Sequence, residues 1–378
     1  MTNLERPETA KRAIWAIMAL ALAARIYLCF FTHLPHTEVD SYGYLSQADT
    51  LLQGGYTDYF PNGYPIIIAL IKLITGAQYL IPALLWLNIL MSLATLWFVF
   101  DIAHRLSNKY TYGVLAAAIL AFFPTQINYV RWVYSEMPAG FFLVGAFFFY
   151  YRKQWIAAGL FFGIATMIRN NIQPIFLVLF VIHIIHSKRI PWALIVATAI
   201  PLIALGSYCK IKTGKFSTAG NSRINILFAA SADGTDVDFT MGDKHPEAQT
   251  TGQAMKVYVD SAKDHPVRFI KQRADNLWVY WGFYSTEANG GRGLGARLLL
   301  GLGNLYLIVF GLWGWWRQRK YYPVSIMIIP FVILTVLHSM LVALPRYTYP
   351  VEPFLILLSV WAVLPLTGRD PDGRWRLR

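Results

Sequence analysis

Glu38 and Asp40 stand two residues apart just after the first hydrophobic run, in the stretch PHTEVDSYGYLSQADTLLQGGYTDYFPNGYP over Pro35–Pro65. A carboxylate so placed can accept the proton of an attacking hydroxyl, or it can cap a helix. Tyr44, Leu45, Ala48, Leu51 and Leu52 recur at helical spacing, and Gly54-Gly55 supplies a stop. This predicts a short amphipathic helix over Ser41–Gln53, lying on a membrane surface. Asp40 at its head is a candidate N-cap, and a capping carboxylate is held as the anion and becomes a weaker base. Ser41 is an alternative cap that would leave Asp40 free. Residue types alone leave the two roles open.

Glu136, in Ser135-Glu136 ahead of another apolar run, is a second boundary acid. It either complements a helix N-terminus or serves as a catalytic or substrate-orienting carboxylate. Arg131, Arg169 and Arg346 are isolated arginines at other ends of apolar runs, and each alone is explained by snorkelling to headgroups. Together, beside the Tyr-rich VRWVY and RYTY, they suggest a phosphate-binding funnel, because guanidinium grips phosphate oxygens bidentately. Arg25, inside the first run, reads as a snorkelling cation.

A membrane domain must carry these residues. Hydrophobic residues make up 56% and charged residues 14% of the 378, and mean hydropathy is +0.43, too apolar for an ordinary soluble chain. The apolar runs are continuous rather than alternating, which excludes a transmembrane β-barrel and predicts an all-α polytopic membrane protein. About ten transmembrane helices are expected, near 13–31, 79–100, 112–124, 138–151, 155–168, 172–187, 191–209, 297–316, 323–343 and 350–366. Ile66–Gly76 is too short to cross and reads as interfacial or re-entrant. The expected organisation is an N-terminal membrane part, 1–209, whose first outer loop, 32–78, holds the acids. A long outer loop with amphipathic helices, 210–296, and C-terminal membrane helices with a cytoplasmic tail, 297–378, complete it.

Basic pairs at Lys11-Arg12, Arg105 and Lys109, Arg152-Lys153 and Lys188-Arg189, with Arg317, Arg319 and Lys320, alternate with connections holding the single arginines. The positive-inside rule then puts both termini in the cytoplasm and the acids on the periplasmic or exterior face. Ala21–Ala23 resembles a signal-peptidase site, but the apolar run continues to Phe31 and argues for a retained span. The net charge of +13 reads as topology signal and lipid-phosphate contact, not nucleic-acid binding. Cys29 and Cys209 are too far apart in sequence to suggest a disulfide framework or thiolate metal site. Asp233, Asp236 and Asp238 in DGTDVD hint at a calcium loop whose later ligands are missing. Val267, Ile270, Ala274, Leu277, Trp278 and Trp281 form an apolar stripe expected to dock on the membrane domain.

The order of EVDSYGYLSQADTLLQGG, the proline-flanked NGYP, YSEMPAGFFLVGAFFFYYRKQWIAAGLFFGIATMIRNN and LPRYTYPVEPFLILLSVWAV resembles the GT-C membrane glycosyltransferases. The pattern is similar to the protein O-mannosyltransferases and the lipid A aminoarabinose transferases. That resemblance implies a polyprenyl-phosphate-linked sugar as donor, a hydroxyl on a glycan, lipid or protein as acceptor, inversion at the anomeric carbon, and a bacterial inner-membrane setting. It implies Asp40 as general base, with Glu38 able to exchange roles because the acids here are Glu-x-Asp and not the adjacent Asp-Glu of the O-mannosyltransferases. Arg131, Arg169, Arg346 and Tyr347 would surround the donor phosphate, Glu136 would orient donor or acceptor, and Tyr42, Tyr64 and Asn170 would contact substrate. No cofactor is required, although His36 beside Glu38 leaves a divalent metal open. The chain is short for the family, so acceptor recognition would rest on 210–296. A transporter or flippase would instead call for internal repeats and polar residues at mid-membrane, and neither is evident in the sequence.

Overall fold

The computed structural model describes residues 5–57, 59–218, 221–230, 240–283 and 294–364, and every multi-residue element among them is a helix. In order these are α1 (Pro7–Phe30), α2 (Val39–Leu52), α3 (Gly63–Thr75), α4 (Leu80–Ser107), α5 (Tyr110–Phe122), α6 (Pro124–Asn128), α7 (Glu136–Tyr151), α8 (Trp155–Ile168) and α9 (Gln173–Ser187). There follow α10 (Trp192–Thr213), α11 (Ser222–Ala230), α12 (Met241–Lys244), α13 (Thr251–Asp264), α14 (Pro266–Tyr280), α15 (Leu294–Gln318), α16 (Tyr322–Ser325), α17 (Ile328–Met340) and α18 (Glu352–Val363). The Asp233, Asp236 and Asp238 pattern lies outside the described residues.

The protein is a multi-pass membrane protein. Among the described residues, six helical stretches are long and apolar enough to cross a bilayer: Pro7–Phe30, Ala77–Ser107, Asn170–Ser187, Trp192–Thr213, Leu298–Gln318 and Tyr322–Met340. A seventh is reached if Tyr110–Phe122 and Pro124–Arg131, bent by 61°, count as one span. Length alone thus reaches seven of the about ten expected, and the remaining three are α7, α8 and α18, of 16, 14 and 12 residues; at 1.5 Å per residue, 12 residues rise only about 18 Å of a roughly 30 Å core. Burial explains how so short a helix is kept. In α18 every side chain from Glu352 to Ala362 is buried, with neighbours on α5, α15 and α17. A helix wrapped in protein does not have to match the thickness of the lipid.

Close approach of these helices depends on glycine. Gly159 and Gly163, one turn apart on α8, face α10, where an added Cβ would lie 2.4 Å from the Leu194 carbonyl and 2.5 Å from that of Thr198. Gly314 lets α15 rest on α18, with the Leu358 carbonyl 1.8 Å from where a Cβ would stand. Gly63 of NGYP presses the start of α3 onto the Met167–Ile168 backbone, at 2.4 Å, just before Arg169.

Three expectations are corrected. Arg25 does not snorkel: it is fully buried, donating from Nε to Ser92 Oγ at 2.8 Å and from Nη1 to the carbonyls of Ala21 and Ala121 at 3.1 and 3.2 Å. Those acceptors, from three helices, hold the guanidinium inside the bundle. The amphipathic α2 turns Tyr44 and Ala48 into the protein core against α3, not onto lipid. Finally, only Trp281 of the expected docking stripe is buried, whereas Val267, Ile270, Leu277 and Trp278 are exposed; α14 docks through Gln272, Arg273 and Asn276, with Val279 and Tyr280 at its end.

Gly314→Ala forces α15 off α18, and overpacking of this kind is expected to destabilise by roughly 1–3 kcal/mol. A lowered midpoint of thermal unfolding in nanodiscs is the expected readout; an unchanged midpoint would show that the contact is not tight.

Candidate active site

Four segments remote in sequence deliver one ionic cluster. The first is the head of α2, where the N-cap position belongs to Glu38, not to Asp40 or Ser41. The Glu38 backbone N–H donates to Ser41 Oγ at 3.1 Å. With the cap one step earlier than either candidate, Asp40 falls in the first helical turn and its carboxylate pairs with Arg346. Arg346 comes from the 3-10 turn Pro345–Thr348 between α17 and α18, 306 positions further on.

The other two segments meet at Glu136. This residue opens α7 and Arg169 closes α8, so the hairpin of two short helices brings both to one end of the bundle. Glu136 Oε1 lies 2.9 Å from Arg169 Nη1 and 3.2 Å from Arg346 Nε. It is only 2% exposed, so this carboxylate neutralises two guanidinium groups out of reach of bulk water. Arg169 also donates to Ser135 Oγ at 3.0 Å, and that hydroxyl lies 2.9 Å from Tyr44 OH.

Aromatic rings fix the guanidinium planes. Arg346 lies over Tyr134 and Arg169 over Tyr347, each 4.5 Å from the ring centre, and the Tyr134 hydroxyl donates to the Glu38 carboxylate. Burial works to lower the Arg346 pKa, but Glu136, Tyr347, Asp40 and Tyr134 outweigh it and hold the pKa well above the ordinary guanidinium value. Arg169 is raised in the same way, with Glu136 the main counterweight to burial. Burial also raises the Tyr134 phenol, against the pull of Arg346 and with help from Glu38, so Tyr134 stays protonated and donates. The cluster thus balances two acids, Asp40 and Glu136, against two arginines.

Other sequence candidates sit elsewhere. Arg131 is not in the ion-pair cluster: its guanidinium donates to the Pro35 carbonyl and to Asn128 Oδ1, and it lies over Trp132, so it anchors the loop before α2. Tyr42 is 62% exposed. Tyr64 is buried edge-on to Tyr44, so it packs behind the cluster and does not face an open site. The Asn170 amide, turned with its nitrogen toward them, donates to the carbonyls of Thr166 and Thr218 at 3.1 Å each. His36 Nδ1 is 3.0 Å from the Arg131 carbonyl, which only accepts, so that nitrogen carries the proton. No three His, Cys, Asp or Glu side chains converge as metal ligands among the described residues.

Sequence reasoning missed Ser135, Tyr44 and His338. Ser135 was visible as the neighbour of Glu136, but His338 lies in an apolar helix and gave no signal. Its Nδ1–H donates to the Val342 carbonyl at 2.9 Å, leaving Nε2 to accept from Asn171 Nδ2 at 2.9 Å. The neutral ring packs against Tyr347 at 4.5 Å.

Glu136→Ala leaves two buried guanidinium groups without their shared carboxylate and is expected to cost about 3–5 kcal/mol. The check is the thermal unfolding midpoint, with partial recovery when Arg169→Met is added. A midpoint equal to that of the unsubstituted protein would contradict the bridge.

No family model matches the chain, and no curated protein sequence does. Solved structures do. The Archaeoglobus fulgidus oligosaccharyltransferase in its apo form aligns with a TM-score of 0.56 at 13% identity, over 92% of this chain and 50% of that one. ArnT from Cupriavidus metallidurans bound to undecaprenyl phosphate aligns with a TM-score of 0.56 at 15% identity, over 94% of this chain and 60% of that one. The archaeal enzyme AglB with an inhibitory peptide and a dolichol-phosphate gives 0.53 at 13%, over 92% and 50%. This chain therefore spans half to three-fifths of the solved proteins it matches. It has the GT-C fold that these solved structures share.

Proposed function

We propose that the chain is an inverting glycosyltransferase that moves a sugar from a polyprenyl-phosphate donor to an acceptor hydroxyl at the outer face of a bacterial plasma membrane, with both termini cytoplasmic. The observation that carries this reading is the Arg346 bridge, in which one guanidinium holds both Asp40 and Glu136. The fold supports it, since two of the solved structures that share it hold dolichol-phosphate and undecaprenyl phosphate.

In the chemistry that follows, Asp40 takes the proton of the acceptor hydroxyl while that oxygen forms a bond to the anomeric carbon. The bond from the anomeric carbon to the donor phosphate breaks on the opposite side, and its electron pair leaves with the phosphate as a polyprenyl phosphate monoester. Negative charge grows on that phosphate, and Arg346 with Arg169 is preorganised to receive it. Glu136 keeps both arginines aimed and balanced before the donor arrives. A phosphate entering the cluster competes with Asp40 for Arg346, and so releases the base at the moment the donor is bound. Glu38, held by Tyr134, sits two residues before Asp40 and orients the acceptor.

Purified protein in nanodiscs, offered a panel of radiolabelled polyprenyl-phosphate sugars, is expected to transfer label from one of them. Asp40→Asn is expected to lower that rate by about 10²–10⁴-fold. Arg346→Lys keeps the charge but loses the two-pronged grip, and is expected to lower it by roughly 10²–10³-fold. Full activity of Asp40→Asn would remove the base, and absence of transfer from every donor would overturn the reaction class.

A further inference from the structure

The buried face of α14 is largely polar over its middle. In water an amphipathic helix buries its apolar face, but α14 buries Gln272, Arg273 and Asn276, with Val279 and Tyr280 at its end, while Val267 is 81%, Ile270 68%, Leu277 40% and Trp278 56% exposed. The polar side is engaged through several hydrogen bonds. Arg273 donates to the carbonyls of Met340 and Ala229, and the Asn276 amide donates to those of Ser339 and Leu341, so these side chains satisfy the free carbonyls where α17 ends.

The contacts also give the direction of α14. Arg273 and Asn276 meet residues 339–341, Tyr280 stacks on His338, and Trp281 packs on Phe331. The helix thus runs antiparallel to α17. From Met340 back to Phe331 is about 13 Å at 1.5 Å per residue, most of a half-bilayer. Asn304, well within the spanning part of α15, donates to the Trp281 carbonyl at 2.8 Å, which places the same end of α14 deep beside a second span. The exposed Leu277 and Trp278 therefore continue the exposed stripe of α17, Val332, Val336 and Met340. Lys271 and Arg268 are exposed nearer the start of the helix.

We propose that α14 is a membrane-inserted helix whose outward face is covered by acyl chains of the leaflet next to the ionic cluster. The insertion touches the site, because Tyr280 OH donates to the Tyr347 carbonyl at 3.3 Å, beside Arg346.

The test does not depend on activity. Leu277→Cys and Trp278→Cys, each carrying a nitroxide label in nanodiscs of phosphatidylcholine and phosphatidylglycerol, are compared with Val336→Cys on α17 and Glu247→Cys on an exposed turn; both native cysteines are buried. Labels at 277 and 278 are expected to collide with oxygen severalfold more than with a water-soluble nickel chelate, as at 336, with the opposite ratio at 247. Nickel access at 277 and 278 would mean a water-facing helix and overturn the proposal. Protection from both reagents would mean that protein covers the face, and would overturn it equally.

Discussion

A buried charge costs least when another charge cancels it, and for the paired arginines Arg169 and Arg346 the cancellation is done by Glu136. Its one carboxylate oxygen faces both Arg169 and Arg346. Because Arg346 reaches Asp40 as well, the chain's beginning, the α7–α8 hairpin and the last connection are tied at a single point. Asp40, Glu136 and Arg169 lie at the ends of α2, α7 and α8, and Arg346 lies on a 3-10 turn, so each is held by local hydrogen-bonded backbone. The two acids and two arginines of this point balance one another in charge.

The rest of the fold serves that point. Short helices α7, α8 and α18 need the longer spans around them to keep lipid away, and the glycines that let α8 meet α10 and α15 meet α18 bring the helix ends within reach of one another. At Gly63 the same device presses α3 onto the residues just before Arg169. Glu352, buried at the head of α18, accepts from Thr348 at 3.0 Å and Gln126 at 2.8 Å, and Gln126 also donates to the Tyr349 carbonyl at 3.1 Å. These contacts clamp the connection that carries Arg346 and Tyr347.

Hydropathy made the helical membrane class legible, and scarcity of charge picked out Glu38, Asp40, Glu136, Arg169 and Arg346. What the residues did not show was who pairs with whom. Asp40 and Arg346 are joined by a tertiary contact across almost the whole chain, and no local pattern encodes it. A hydrophobic run reports burial, and burial in protein looks the same as burial in lipid, so hydropathy does not by itself fix the number of spans. The stripe on α14 failed for the same reason: apolar periodicity locates a face but does not say whether protein or acyl chains cover it. Arg131 was grouped with the other arginines by type and side, yet its guanidinium is held by the backbone of the opening loop.

The most direct measurement is the affinity of polyprenyl phosphate for Asp40→Asn compared with the unsubstituted protein, in the same nanodiscs. In the proposed mechanism Asp40 both competes for Arg346 and acts as the base, so the variant is expected to bind the lipid phosphate more tightly while transferring sugar far more slowly. Equal or weaker binding would contradict a donor phosphate that displaces Asp40 from Arg346.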